Sequence, residues 1–390
     1  DPSIFNPVNL DCDGWCKAIK SAGMKGVVIT AKHHDGFCLW QTKYTTHSMK
    51  SSPYKDGKGD IVKELSDACR RHGLKFGFYL SPWDRNCRLY GTPEYNDYYR
   101  GQLTELLTGY GEIFHVWFDG ACGEGPNGKK QVYDFDSYFE LIHKYQPNAP
   151  IFSDRGPIRW CGNESVPSEL CPYSRIQTGA GPFNGDLSYM YNTNKEIGSL
   201  SNIMYSRGLV FAPSEVDMSI RPGWFYHGNE APHSLDRLFE TYLRSVGGNT
   251  TFILNIPPRP DGTFDPQDVE RLRELGEKID KSFAVDLAKD CDIEISPFNG
   301  SETQCIAEID FKKKAEIKYL DFSENIAEGQ RIESFIIQRR DDNGRWFDCF
   351  EGTTVGARRI VSLGSITTDG LRIFVTASRD TPYFGKISVY

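Results

Sequence analysis

Two acidic side chains follow apolar runs that are typical of buried β-strands. Asp119 comes directly after the run at residues 113–118, and Glu164 lies in the segment after the run at residues 150–153. In (β/α) barrels, functional side chains lie where the parallel strands end. Two carboxylates at such a rim, among Trp, Tyr and His residues, suit hydrolysis of a glycosidic bond. One can attack the anomeric carbon or activate water, while the other protonates the leaving oxygen.

Each of these residues also has a simpler explanation. Asp119 precedes Gly120 and could cap the next turn, and a loop glutamate such as Glu164 is common on protein surfaces. The adjacent His33 and His34 do not indicate a metal site, because neighbours on a strand point to opposite faces and no third His or Cys stands at ligand spacing. Hydrogen bonding to a hydroxyl-rich ligand and ordinary polar packing both stay open for the two histidines.

The elements that position these residues alternate along the first 285 residues. Apolar runs begin near residues 26, 75, 113 and 150, with amphipathic stretches between them, which is typical of β/α units. A closed (β/α) barrel fits this alternation best. A doubly wound open sheet is the alternative, although no G-x-G-x-x-G follows a strand. Helices are predicted over residues 9–22, 61–71, 95–107, 136–145, 233–246 and 266–281, and later strands over residues 208–211 and 251–256.

From about residue 290 the pattern changes to short runs with alternating apolar and polar residues. Turn sequences such as Asp341-Asp-Asn-Gly344 separate them. A stretch of roughly 100 residues without a predicted helix is typical of a β-sandwich. We therefore predict a catalytic (β/α) barrel over residues 1–285 and a β-sandwich over residues 286–390. The predicted strands of the sandwich are 291–295, 305–310, 315–322, 333–340, 346–351, 360–363, 371–377 and 385–390.

Composition narrows the classes of function. The 390-residue chain has a net charge of −8 and no basic stripe, which argues against a nucleic-acid partner. Its apolar runs are far shorter than the ~20 residues that span a bilayer, so we predict a soluble protein. The 11 cysteines show no C-x-x-C spacing and are predicted to be mostly free thiols. Localisation stays open between the cytoplasm, which free thiols favour, and secretion with a signal peptide that this chain lacks.

Five long motifs stand in the same order as in a known enzyme family. In these motifs the chain resembles the α-L-fucosidases, a family of glycoside hydrolases, and most closely their branch selective for α-1,3- and α-1,4-linked fucose. The resemblance covers essentially the whole chain and implies a TIM-like barrel followed by a β-sandwich. The motifs are Ala31-Lys-His-His-Asp-Gly-Phe-Cys-Leu-Trp40, Tyr79-Leu-Ser-Pro-Trp-Asp84, Val116-Trp-Phe-Asp-Gly120, Arg159-Trp-Cys-Gly-Asn-Glu164 and Ser219-Ile-Arg-Pro-Gly-Trp-Phe-Tyr-His227.

The resemblance also assigns roles to individual residues. It makes Asp119 the nucleophile and Glu164 the general acid/base, with Glu215 as the alternative acid/base. It implies that His33 and His34 hydrogen-bond the hydroxyl groups of fucose. It further implies that aromatic rings line the sugar pocket, where they can cover the C5 methyl group and the apolar face of fucose. These rings belong to Trp40, Tyr79, Trp117 and Trp224.

The function implied is that of a retaining exo-α-L-fucosidase. It would remove terminal α-1,3/1,4-linked L-fucose from oligosaccharides or glycoconjugates, such as Lewis-type glycans, by double displacement. The expected partner is the fucosylated substrate, and no cofactor or metal is implied. Family members begin the barrel with a strand that this chain lacks before residue 1. Without that strand, an inactive or weakly active fucose-binding protein stays open as one alternative. A barrel glycosidase for another sugar is the other.

Overall fold

The chain forms two compact units in a computed structural model, which describes residues 1–153, 158–160, 180–183, 200, 204 and 207–390. The first unit contains the described residues of 1–159, together with residues 219–232 and 256–276. The second contains the described residues of 160–218, together with residues 233–255 and 277–390. The predicted site residues from His33 to Asp119 all belong to the first unit.

The first unit contains a four-stranded parallel sheet and four helices that alternate with its strands. The strands are β1 (Gly26–Lys32), β2 (Lys75–Leu80), β3 (His115–Trp117) and β4 (Ile151–Phe152). The helices are α1 (Cys12–Ser21), α2 (Ile61–His72), α3 (Glu94–Gly109) and α4 (Phe135–Tyr145). The strand order in the sheet is β1–β2–β3–β4. The alternation confirms the predicted β/α pattern of this segment.

Single residues determine where several of these elements begin and end. The Asp60 carboxylate accepts the Lys63 N–H at 2.8 Å and caps the start of α2. Gly73 ends the helix in the left-handed region, with φ 67°. β2 follows and is buried over most of its length, as expected of a parallel strand covered on both faces. Helix α1 begins later than predicted, because Asp11 caps it by accepting the Gly14 N–H at 2.8 Å.

The register of the parallel sheet places three aromatic residues side by side. Tyr79 of β2 pairs with Thr30 of β1 and with Trp117 of β3, and Trp117 pairs with Phe152 of β4. Because the strands are parallel, their carboxyl ends lie along one edge of the sheet. The hydrophobic core of this unit includes the buried side chains of Leu65, Phe78, Leu103 and Val116.

The middle of the chain contributes shorter strands and two further helices. The elements are β5 (Arg159–Trp160), β6 (Ala180–Phe183), β7 (Gly208–Phe211), β8 (Ser214–Ser219), α5 (Leu235–Ser245), β9 (Thr250–Asn255) and α6 (Pro266–Ser282). A three-stranded sheet has the order β5–β8–β9, and β6 pairs with β7 in an antiparallel ladder. The predictions of β7, β9, α5 and α6 are confirmed to within two residues. The sequence pattern does not predict β8, because Ser-Glu-Val-Asp-Met-Ser contains four polar residues of six.

The C-terminal part of the chain is mostly sheet, as predicted. The strands are β10 (Ile293–Pro297), β11 (Cys305–Glu324), β12 (Ile332–Arg340), β13 (Trp346–Gly352), β14 (Arg359–Ser378) and β15 (Phe384–Val389). They pair antiparallel in the order β10–β11–β14–β12–β13, and β15 also pairs with β11. Among residues 293–389, the hydrophobic core includes Ile309, Leu320, Phe335 and Ile373, all buried.

Two long strands in this sheet correct the prediction of four short ones. β11 and β14 are 20 residues each, and they pair with one another over most of their length. The prediction of separate strands places a break at the polar run Lys312–Lys314, but β11 continues through it with a shift of register between Asp310 and Ala315. A second shift lies between Ile317 and Tyr319. Such irregularities bend a strand without ending it, and they interrupt the alternation from which strands are predicted.

The described cysteines confirm one further prediction. The nine cysteines that the structure describes are free thiols, and five of the cysteines in the first unit are buried. In the residues that the structure describes, no helix combines the length and the apolar character needed to cross a membrane.

Candidate active site

The side chains predicted to do chemistry follow strands of the parallel sheet at the edge where the strands end. His33 and His34 come directly after β1, and Asp119 comes two residues after β3. Tyr79 lies one residue before the end of β2. The structure brings these four side chains together, although they come from three separate segments of the sequence.

Asp119 is held on both of its carboxylate oxygens. Oδ1 accepts the backbone N–H of Ala121 at 2.7 Å, so the residue does cap the turn after β3. Oδ2 accepts the Tyr79 hydroxyl at 2.9 Å and lies 3.8 Å from Nε2 of His34. The side chain is 25% exposed and can therefore be reached by a ligand. Turn capping and a place in the site are thus compatible, because each role uses a different oxygen.

Burial lowers the pKa of both histidines beside Asp119. For His33, burial is the largest cause and outweighs the opposing effect of the Asp119 carboxylate. For His34, burial and then the neighbouring His33 lower the pKa, again against Asp119. Both imidazoles are therefore neutral at neutral pH, and a neutral imidazole offers one donor and one acceptor nitrogen. This pair of functions suits hydroxyl groups, which can both donate and accept.

Two residues of the segment that follows β2, Ser81 and Trp83, contact the ring of His34. Its Nδ1 lies 2.7 Å from the hydroxyl oxygen of Ser81. The Ser81 hydroxyl in turn donates to the backbone carbonyl of Trp83 at 2.7 Å. The indole ring of Trp83 contacts His34 with 4.8 Å between ring centroids. The ring of His34 is therefore oriented by polar and aromatic contacts together.

Four rings form a continuous column along the edge of the sheet, here called the ring column (His33, Tyr79, Trp117 and Phe152). The ring centroids of His33 and Tyr79 are 5.9 Å apart, with 10° between the ring planes. Tyr79 and Trp117 are 5.1 Å apart at 24°. Trp117 and Phe152 are 4.2 Å apart at 4°. The predicted pocket residues Tyr79 and Trp117 thus belong to one stacked surface that begins at a histidine.

A second segment brings an aromatic ring to the same histidine. The rings of Phe225 and His33 form a T-shaped contact with 5.5 Å between centroids, and Phe225 is 60% exposed. Trp224, which is predicted to line the pocket, precedes it and is half-buried. The segment is held by Arg221, whose buried guanidinium donates from Nε to both oxygens of the buried Asp268 at 2.9 and 2.8 Å.

Trp40 is not part of this group. Trp40 is buried in the hydrophobic core, and its indole N–H donates to Glu105 at 2.9 Å. Glu164 lies outside the described residues. The alternative acid Glu215 belongs to β8 and is buried.

A buried polar cluster includes the residue directly before the two histidines. This cluster of Lys32, Asp84 and Gln102 is here called the polar anchor. The Lys32 ammonium group donates to Asp84 at 3.2 Å and to Gln102 at 2.9 Å, and all three side chains are buried. Asp84 also accepts the backbone N–H groups of Asn86 and Cys87. The polar anchor therefore joins the end of β1, just before the histidines, to the segment that follows β2.

Sequence reasoning assigns no role to Ser81, Asp84 or Phe225, although each lies inside a motif that carries the resemblance. The available signal for Ser81 and Asp84 is their position directly after β2, where the strand ends at the functional edge. For Phe225 the signal is an aromatic residue beside Trp224.

The arrangement can act on a sugar. A partly exposed carboxylate is available to attack or to stabilise positive charge, neutral imidazoles can bind hydroxyls, and stacked rings offer an apolar surface.

Similarity to known proteins establishes the class: the chain is a glycoside hydrolase. A family model described as alpha-L-fucosidase matches residues 2–282. The chain belongs to the α-L-fucosidase family, which is glycoside hydrolase family 29, and it is an α-L-fucosidase.

Individual relatives agree with this family. The chain is 38% identical over 424 residues to alpha-L-fucosidase 1 of Arabidopsis thaliana, covering all of this chain and 80% of that protein. A glycoside hydrolase 29 family member from an unknown rumen bacterium superposes with a TM-score of 0.86 at 37% identity, covering 100% of this chain and 71% of that one. A Ruminococcus gnavus family 29 fucosidase in complex with fucose superposes with a TM-score of 0.84 at 28% identity, covering 99% and 87%.

Proposed function

We propose that the chain is a retaining exo-α-L-fucosidase with Asp119 as its nucleophile. Its substrates are oligosaccharides or glycoconjugates with terminal α-1,3/1,4-linked L-fucose, such as Lewis-type glycans. The observation that carries the proposal is the environment of Asp119, which is partly exposed, bonded to Tyr79 and faced by a histidine whose pKa is lowered. The preference for these linkages rests on the resemblance of the motifs to that branch of the family.

The reaction proceeds in two displacements. Asp119 attacks C1 of the fucosyl group while Glu164 protonates the departing glycosidic oxygen, which releases the rest of the glycan. The fucosyl–Asp119 ester is then attacked by water, and Glu164 removes the proton from that water. Free fucose leaves with its original anomeric configuration, and both carboxyl groups return to their starting protonation states. Glu215 is the alternative acid/base.

The contacts of Asp119 support the role of nucleophile. The Ala121 N–H holds Oδ1, which fixes the orientation of the carboxylate. Oδ2 accepts a hydrogen bond from the Tyr79 hydroxyl. As Oδ2 bonds to C1 it loses negative charge, and the Tyr79 hydroxyl stays beside it to stabilise the charge that returns when the ester is cleaved.

The remaining site residues bind the sugar in this proposal. His33 and His34 hydrogen-bond fucose hydroxyls, because they are neutral and lie beside the nucleophile. Tyr79 and Trp117 offer the stacked surface of the ring column to the apolar face of the sugar. Trp224 lines the pocket from the segment that Arg221 holds. Trp40 supports the pocket from the core rather than by contact with the sugar, since its side chain is buried.

We also propose that the parallel sheet is part of a closed (β/α) barrel over residues 1–285, and that the sheet over residues 286–390 is a β-sandwich. Four adjacent parallel strands with alternating helices support the barrel. The antiparallel pairing and common hydrophobic core of the C-terminal strands support the sandwich.

The test is the variant Asp119→Ala with an α-L-fucoside as substrate. Turnover should fall by several orders of magnitude, because the nucleophile is lost, while the Kd for free fucose changes little. Added azide should take the place of the carboxylate and give β-L-fucosyl azide. Asp11→Ala is the matched control, since it also removes a carboxylate that accepts a backbone N–H but lies at the start of α1. If Asp119→Ala keeps more than about a tenth of the wild-type turnover, Asp119 is not the nucleophile.

Two further measurements test the finer parts of the proposal. NMR of the first product should show α-L-fucose; initial release of β-L-fucose would show an inverting mechanism instead. A panel of α-1,2-, α-1,3-, α-1,4- and α-1,6-linked fucosides should show the highest kcat/KM for the α-1,3 and α-1,4 linkages. Glu164→Gln should harm cleavage of natural glycans more than that of activated aryl fucosides, because the latter need no acid. If Glu215→Gln shows that pattern instead, Glu215 is the acid/base.

A further inference from the structure

Ser81 has a single hydroxyl proton, and its two neighbours decide where that proton lies. The Trp83 carbonyl oxygen, 2.7 Å away, can only accept a hydrogen bond. His34 Nδ1, also 2.7 Å away, can donate or accept, depending on its tautomer. If Ser81 donated to Nδ1, the Ser81 hydroxyl oxygen and the Trp83 carbonyl oxygen would lie 2.7 Å apart with no proton between them, which is repulsive. Both contacts are satisfied only if Ser81 donates to Trp83 and His34 donates from Nδ1.

The proton on Nδ1 determines whether the other ring nitrogen, Nε2, can donate or accept a hydrogen bond. His34 is neutral at neutral pH, so a proton on Nδ1 leaves Nε2 with a lone pair. Nε2 lies 3.8 Å from Oδ2 of Asp119, which is itself an acceptor. Neither atom can then donate to the other. A sugar hydroxyl beside the pair, within hydrogen-bond distance of Nε2, can donate to Nε2.

The opposite tautomer of His34 would change the reactivity of the nucleophile, Asp119. With its proton on Nε2, His34 would place an N–H group near Oδ2 of Asp119; 3.8 Å is too long for a hydrogen bond, but the positive end of the N–H would still stabilise the charge that must attack C1. His34 would also lose its acceptor for a sugar hydroxyl. The choice of tautomer therefore affects both substrate binding and the reactivity of the carboxylate.

The backbone holds Ser81 and His34 in the arrangement that the proton count requires. The Ser81 N–H donates to the carbonyl of Lys32 at 3.0 Å, and the Arg85 N–H donates to the carbonyl of His34 at 2.8 Å. Ser81 itself is fully buried, so water does not compete for its hydroxyl. The polar anchor ties the same two segments together through Lys32 and Asp84.

We propose that Ser81 is a positioning residue that holds His34 in its Nδ1–H tautomer, so that Nε2 accepts a hydrogen bond from a fucose hydroxyl and leaves Asp119 free to attack. The catalytic consequence rests on the proposed function, whereas the tautomer does not. The groups that face His34 electrostatically are His33, Asp119, Arg85 and Asp35. Experiments at a fixed pH near 7.5 keep the charge of these groups constant.

The tautomer is measured by ¹⁵N–¹H NMR of full-length protein labelled at histidine, with His34 assigned by the variant His34→Gln. In the wild type, the nitrogen without a proton should be Nε2. In Ser81→Ala, His34 should shift to the Nε2–H tautomer, and kcat/KM for an α-L-fucoside should fall on the order of tenfold, the equivalent of one hydrogen bond. Ser66→Ala is the matched control, because this buried serine also donates to a backbone carbonyl, that of Lys63 in α2, at 3.0 Å.

The outcomes separate this proposal from the proposed function. A wild-type His34 protonated at Nε2 overturns the proposal, and this result does not depend on whether Ser81→Ala folds. A Ser81→Ala protein with an unchanged tautomer overturns it as well. If instead Asp119→Ala keeps its turnover, the proposed function fails while the measured tautomer still stands. Ser66→Ala should leave the tautomer unchanged and kcat/KM within about twofold of the wild type, so an equal loss there would show that the effect is not specific to Ser81.

Discussion

The polar anchor allows a sharp prediction about stability. Lys32 and Asp84 are 0% and 1% exposed, and they form an ion pair with N···O of 3.2 Å. In Lys32→Met an apolar chain of similar length replaces the ammonium group, and the Asp84 carboxylate stays buried without its cation. Removing one partner of a buried ion pair typically costs about 3–5 kcal/mol. For a unit of this size, 1 kcal/mol corresponds to about 2–4 °C in Tm, so we expect a fall of roughly 6–20 °C.

The assay is thermal unfolding followed by circular dichroism, with Lys63→Met as the matched control. Lys63 also pairs with an aspartate, Asp67, but the two side chains are 51% and 30% exposed. An exposed pair on a helix contributes about 0.3–0.5 kcal/mol, so the control should change Tm by no more than about 2 °C.

A double variant separates the lost charge pair from lost packing. In Lys32→Met/Asp84→Asn no carboxylate is left without its cation, while the side-chain oxygen of the introduced amide can still accept the N–H groups of Asn86 and Cys87. The double variant should therefore have a higher Tm than Lys32→Met. A fall in Tm of less than about 2 °C in Lys32→Met, or a further fall on the second substitution, would show that the buried ion pair does not stabilise this unit as expected.

Two further predictions concern the turn after the histidines and the histidines themselves. A Cβ added at Gly36, where φ is +78°, would lie 2.3 Å from Oδ1 of Asp84. Gly23 has a similar φ of +80°, but a Cβ added there would have no atom within 4 Å. Gly36→Ala should therefore lower Tm more than Gly23→Ala, and equal losses would contradict this. Because burial lowers the pKa of His33 and His34, the unfolded chain binds more protons below about pH 6.5. The free energy of unfolding should therefore fall as the pH drops from 6.5 through the lowered pKa values. We expect kcat/KM to fall over the same range, because a protonated imidazole cannot accept a hydrogen bond from a sugar hydroxyl; an acidic limb of kcat/KM centred above pH 6.5 would contradict the assignment.

The local elements can be predicted because their signals are local. The end of α2 follows from Gly73, and the sequence predicts β2 with its observed bounds because an apolar run starts directly after that turn. The continuous strands β11 and β14 cannot be predicted in this way, since their irregularities depend on pairing with one another. The strand β8 is missed because its polar residues outnumber its apolar ones, although most of the strand is buried.

The same distinction holds for the candidate site. The candidates His33, His34 and Asp119 can be predicted from their positions at strand ends. The hydrogen bond between Ser81 and His34 cannot, because it depends on how two strand-end segments lie against each other. The buried position of Trp40 is equally hidden, because its motif indicates an aromatic residue near the site but not which way its ring points.

The ring column has a consequence for how such an enzyme can evolve. Three of its rings come from residues paired across adjacent strands, so their spacing is set by the hydrogen bonds of the sheet rather than by the rotamer of any one side chain. Moving one ring would require a change in register, which would turn every side chain of that strand to the other face. New substrate preferences must therefore arise in the loops above the column, where insertions and substitutions leave the stacked surface intact.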